Sequence, residues 1–138
     1  MAGSEADPGR FVGVTEQRRE QRSDQVSADQ PVGLTRPMSE ADLAAVLRIE
    51  QQVYAYPWSA GIFRDCLRAG YGCFVHEVDR AVGHLVVSCA AGEAQLLNIV
   101  IDPAWQRQGI AYHLLNVALE RAQLLGAEML YLEVRPSN

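Results

Sequence analysis

The stretch Gln106-Arg107-Gln108-Gly109-Ile110-Ala111-Tyr112 joins a strand-like run, ending at Asp102-Pro103, to a helix-like pattern. A helix N-terminus presents backbone N–H groups without intrahelical partners and carries about half a positive charge. It is a ready anion site wherever the backbone can be approached closely. Gly109 has no side chain to obstruct that approach and Ala111 adds only a methyl. The amides from Arg107 through Gln108, Gly109, Ile110 and Ala111 to Tyr112 can then converge on a phosphate or pyrophosphate, with a charge-assisted contact from Arg107. An ordinary strand-to-helix loop, whose glycine serves only the turn, has the same spacing. A dinucleotide fingerprint needs G-x-G-x-x-G, and Gly109 to Leu114 ends on leucine, which argues against that site.

A second feature lies near the end of the chain. Leu130, Leu132 and Val134 share one face of a strand-like run, and Tyr131, Glu133 and Arg135 share the other. Glu133 is thus a carboxylate among apolar strand residues, and a salt bridge to Arg135 or a solvated edge accounts for it structurally. The other reactive residue types form no pattern. Cys66, Cys73 and Cys89 are widely spaced with no C-x-x-C pair and read as buried reduced thiols, hence a cytoplasmic protein. His76, His84 and His113 lack metal-ligand spacing, so no metal is expected. All 12 cationic residues are arginine, which removes lysine Schiff-base chemistry and the P-loop lysine. A net charge of −5 argues against direct nucleic-acid binding and favours a cationic partner. No apolar run approaches the roughly 18 residues of a membrane span, and no secretory signal opens the chain.

The hydropathy pattern sets out the scaffold that would carry these residues. Residues 1–32 hold ten charges and no sustained periodicity, so a disordered leader is expected there, with one domain over residues 33–138. Val32 to Arg36 is a short strand. Ser39 to Asp42 has the spacing of a capping box ahead of a helix bearing Leu43, Val46, Leu47, Ile49 and Glu50. Pro57 breaks the chain and Ser59 caps a second helix. Cys73–Val78, Ala81–Ala90 and Glu93–Ile101 read as antiparallel strands joined by tight turns. A helix over 108–125 ends at Gly126, and a last strand covers Glu128–Arg135. The order is β-α-α-β-β-β-α-β, an α/β (strictly α+β) class with one parallel crossover on an otherwise antiparallel sheet.

Three stretches, "YPWS" (56–59), "LLNIVIDPAWQRQGIA" (96–111) and "LYLEVRPSN" (130–138), occur in this order in a known family. With Q-x-x-G-x-A at Gln106, Gly109 and Ala111, the sequence resembles the GNAT N-acetyltransferases, and most of all their RimI-like, ribosomal-protein-alanine branch. The resemblance covers about residues 33–138. It implies a GNAT-like mixed sheet and acetyl-CoA as co-substrate, its pyrophosphate on the Arg107–Tyr112 turn. Backbone groups of Ile99, Val100 and Ile101 would pair with the pantetheine arm, and Asn138 would touch the cofactor. It makes Glu133 the general base, the loop at Trp58 part of the acceptor channel, and the N-terminal alanine of a ribosomal protein the acceptor.

An α-amine with a pKa of about 7.7–8.0 is roughly a tenth free at neutral pH, so a carboxylate acting through water suffices. A lysine acceptor near 10.4 would cost about 3 kcal/mol more to deprotonate. The family pattern continues past Asn138 with a helix bearing an acid tyrosine and with closing strands. The chain is therefore expected to lack that helix and those strands, to expose the edge of its last strand, and to have uncertain turnover. Another protein terminus or small amine as acceptor, or acyl-CoA binding without catalysis, is the alternative.

Overall fold

The computed structural model describes residues 10–11 and 31–132. Strands β1 (Arg10–Phe11), β2 (Leu34–Pro37), β3 (Gly72–Glu77), β4 (Ala81–Ala90), β5 (Glu93–Ile101) and β6 (Met129–Leu132) form one sheet. Its order is β1-β6-β5-β4-β3-β2. β5 and β6 are parallel and every other neighbouring pair is antiparallel. Helices α1 (Leu43–Val53) and α2 (Ala60–Arg68) connect β2 to β3, and α3 (Ile110–Leu124) connects β5 to β6.

Local chemistry sets the helix ends. The Ser39 and Asp42 capping box opens a short 3-10 turn, Glu40–Asp42, that runs directly into α1. The Ser59 hydroxyl accepts from Ile62 N–H at 3.3 Å, as a cap should. Gly126, at φ +85°, takes the left-handed conformation that ends α3. α3 is two residues shorter at its start than the pattern suggested, because Gly109 occupies the N-cap instead of the first turn.

Each face of the sheet has its own helices. Val82, Leu85, Val87, Leu96 and Ile101 pack under Ile110, Leu114, Ala118 and Ala122 of α3. Val75 and Val86 pack on the other face under Leu43 and Val46 of α1 and Phe63 and Cys66 of α2. Cys66 and Cys73 are buried, Cys89 is half-buried, and all three are free thiols. Burial pushes each thiol up, Cys73 to about 11.

One expectation is corrected. The outer edge of the last strand is not bare: Arg10 pairs with Tyr131 and Phe11 with Leu130. An exposed strand edge offers unpaired N–H and C=O groups, and this short segment takes them up. The element order thereby gains a strand at its front. The rest of the expected leader, residues 1–9 and 12–30, lies outside the described residues.

Candidate active site

β5 is held on both sides only over its first half. Its described register with β6 runs from Glu93↔Met129 to Leu96↔Leu132. Its pairing with β4 continues to Gly83↔Ile101. From Leu97 to Ile101, then, the described pairing is with β4 alone. A strand edge of this kind can accept an extended, amide-bearing ligand by backbone hydrogen bonds.

The turn after β5 is tightly braced. Asp102 N–H donates to Val82 O at 2.8 Å, and its carboxylate accepts from Ala104 N–H at 2.9 Å. Gln106 Nε2 donates to Ile101 O at 3.1 Å, tying the turn back to the strand it leaves. Arg107 and Gly109 both have positive φ, +67° and +86°. For Arg107 that conformation costs about 1–3 kcal/mol, a cost the braces hold in place. The ladder of α3 starts with His113 N–H donating to Gly109 O at 3.0 Å. The amides of Ile110, Ala111 and Tyr112 precede it and remain available to a ligand.

Edge and turn meet in an open groove of about 320 Å³. Ile99, Val100, Ile101, Arg107, Gly109, Ile110, Ala111 and Tyr112 line it, all singled out from sequence. Val53, Trp105 and Gln106 complete the lining. Gln108 is exposed in the turn and is not among the lining residues. The Tyr112 hydroxyl is buried without a hydrogen-bond partner, an orphan that a polar ligand can satisfy. Free amides at one end, an open strand edge at the other and this orphan hydroxyl fit a long, anionic, amide-containing molecule. Acetyl-CoA has those features. Glu133 and Asn138, expected to serve as base and cofactor contact, lie outside the described residues.

Sequence reasoning missed a buried polar cluster beside this groove. Glu50 of α1, His84 of β4 and Asn98 of β5 are all buried. Glu50 Oε2 accepts from His84 Nε2 at 2.9 Å and from Asn98 Nδ2. Its Oε1 accepts from the backbone N–H of Trp58 at 3.0 Å, in the loop between α1 and α2. Burial pushes the Glu50 carboxyl up. The hydrogen bonds from His84, Trp58 and Asn98 outweigh it and hold the group below its ordinary value. Phe63 stands edge-on to His84 at 5.5 Å and to Trp58 at 5.2 Å, which anchors the loop aromatic in the core. A signal was present in the sequence: Glu50 continues the apolar stripe of Leu43 and Val46, and Asn98 interrupts the run "LLNIVI".

The acetyltransferase (GNAT) family model matches residues 43–138. The chain belongs to the GNAT acetyltransferase family. One relative, a [ribosomal protein bS18]-alanine N-acetyltransferase of Haemophilus ducreyi, is 35% identical over 100 residues, 72% of this chain and 69% of the relative. The crystal structure of the ribosomal-protein-S18-alanine N-acetyltransferase from Escherichia coli superposes with a TM-score of 0.70 at 31% identity. That match covers 78% of this chain and 70% of the other. A GNAT acetyltransferase from Brucella melitensis in complex with acetyl-CoA shares the fold at TM-score 0.62 and 22% identity, over 74% of this chain and 75% of the other. Among the described residues, no helix of this acetyltransferase is long and apolar enough to cross a membrane.

Proposed function

We propose that this GNAT protein transfers the acetyl group of acetyl-CoA to the N-terminal amine of a ribosomal protein that begins with alanine. The observation that carries the reading is the meeting of the open β5 edge with the free amides of α3. It supports a role for Ile99, Val100 and Ile101 in aligning the pantetheine arm, and for the Arg107–Tyr112 turn in holding the pyrophosphate. The shared acceptor of the relatives supports the choice of alanine. The net charge of −5 favours a basic acceptor. Glu133 serves as the general base and Asn138 as a cofactor contact, carried over from the family motif. The amine nitrogen bonds to the acetyl carbon as the carbon–sulfur bond breaks, and the amine proton passes to Glu133 through water. Holding amine and thioester in register supplies most of the acceleration. A cytoplasmic location and a dispensable segment over residues 1–32 belong to the same proposal.

The test is acetyl transfer from acetyl-CoA to short basic peptides, read by mass and by thiol release. Acetylation of an alanine-initiated peptide at its α-amine is expected. Binding of acetyl-CoA without thiol release would leave a non-catalytic acyl-CoA-binding protein. Glu133→Gln should keep acetyl-CoA affinity and slow transfer by on the order of 10² to 10⁴, with the gap narrowing as pH rises. Transfer at the parent rate at pH 7 would make Glu133 structural.

A further inference from the structure

Asn98 sits two residues past Leu96, the last β5 residue with a described partner in β6. It therefore lies on the stretch that the proposed function assigns to the pantetheine arm, and any role for it at the acceptor rests on that reading. Its side chain faces α1, where Nδ2 donates to Glu50. Its Oδ1 is buried and accepts from nothing. The amide orientation is set by the partner, since a carboxylate can only accept and so must meet the nitrogen. The oxygen is left as an acceptor without a donor, a situation that costs about 1–3 kcal/mol.

The rest of the cluster keeps Asn98 from turning to relieve that cost. Glu50 is fully buried and is gripped from β4 by His84 at 2.9 Å and from the α1–α2 loop by Trp58 N–H at 3.0 Å. The carboxylate stays ionised in spite of burial, because hydrogen bonds outweigh the desolvation. A fixed negative charge behind the amide polarises Oδ1 toward an incoming donor, as chained hydrogen bonds do in a low-dielectric interior. The loop that grips Glu50 is also the one the family resemblance places at the acceptor channel.

We infer that Asn98 Oδ1 receives an N–H of the acceptor's N-terminal amine, with Glu50 and His84 as positioning residues that hold the Asn98 amide in that orientation. An amine donating one N–H to Oδ1 is steered before it attacks and keeps its lone pair for the thioester carbonyl once deprotonated. No proton moves to Asn98. The site reads the presence of a free amine, and alanine is selected elsewhere.

Calorimetry on the CoA-saturated protein tests this with two peptides, an alanine-initiated one and its des-amino analogue. The parent should prefer the amine-bearing peptide by about tenfold, or about 1.4 kcal/mol. In Asn98→Leu, which is close in size and apolar, the preference should collapse to about twofold or less, while CoA affinity stays within about twofold of the parent. The KM for peptide should rise and the KM for acetyl-CoA should not. A merely structural role would weaken both peptides together and leave their ratio intact, which would overturn the inference. A parent that acetylates the peptide yet shows no amine preference would overturn it as well. A parent that binds neither peptide would overturn the proposed function and this role with it. If Asn98→Leu does not fold, Glu50→Gln decides, since it keeps the shape and removes the fixed charge. The preference should then fall at least about threefold, and an unchanged preference would overturn the role.

Discussion

On the α3 side of the sheet, Leu85, Val87 and Leu96 meet Ile110, Leu114 and Ala118 in an apolar layer. On the opposite side Val46, Phe63 and Val86 do the same, but Glu50, His84 and Asn98 are buried beside them. The two sides should answer substitution differently. An apolar layer loses stability in proportion to the volume removed and to how well it can collapse. A buried carboxylate with its donors behaves as a unit, because removing one member strands the others.

The largest expected effect breaks that unit. Glu50→Ala should destabilise the protein by about 3–5 kcal/mol in urea unfolding, since it orphans donors on His84, Asn98 and Trp58. Replacing all three side chains together (Glu50→Leu, His84→Leu, Asn98→Leu) should recover much of this loss, whereas Leu114→Ala on the other side, at about 2–5 kcal/mol, should have no such rescue. Recovery at neither site, or at both, would erase the distinction between the faces. Acid sharpens it. The Glu50 carboxyl is held below its ordinary 4.5, so its contribution is complete above that value and is lost as pH falls through the lower folded value. In Glu50→Gln that part of the acid sensitivity should vanish.

An intermediate effect belongs to the turn, which is braced by polar contacts to the backbone and not by a charge. Gly109→Glu should weaken acetyl-CoA binding more than tenfold, over about 1.4 kcal/mol by calorimetry, through bulk and repulsion at the pyrophosphate. An unchanged affinity in a folded variant would take the turn out of the site. The smallest effect is at a helix end. Ser59→Ala should cost about 1 kcal/mol in thermal or urea unfolding, because a single backbone donor on Ile62 loses its acceptor.

Legibility in the sequence tracked the range of the interaction. The Ser59 cap, the Gly126 stop and the turns flanking β4 were readable because each is decided within a few residues. The groove residues from Ile99 to Tyr112 were readable for the same reason, being one strand end, one turn and one helix start. The Glu50 cluster was not, since its hydrogen bonds join residues 34 and 48 positions apart. Nothing local tells a buried charge from a solvated one. The pairing of Arg10–Phe11 with β6 was hidden too, because two residues carry no period.

The bond from Trp58 N–H to Glu50 has a dynamic consequence. A surface loop ordinarily opens to solvent alone and at little free-energy cost. Here the loop cannot lift away at Trp58 without uncovering a carboxylate that also holds β4 and β5. α1, the loop and the middle of the sheet are thus joined in one cooperative unit of opening, and motion at the mouth of the acceptor channel is coupled to the stability of the strands beneath it.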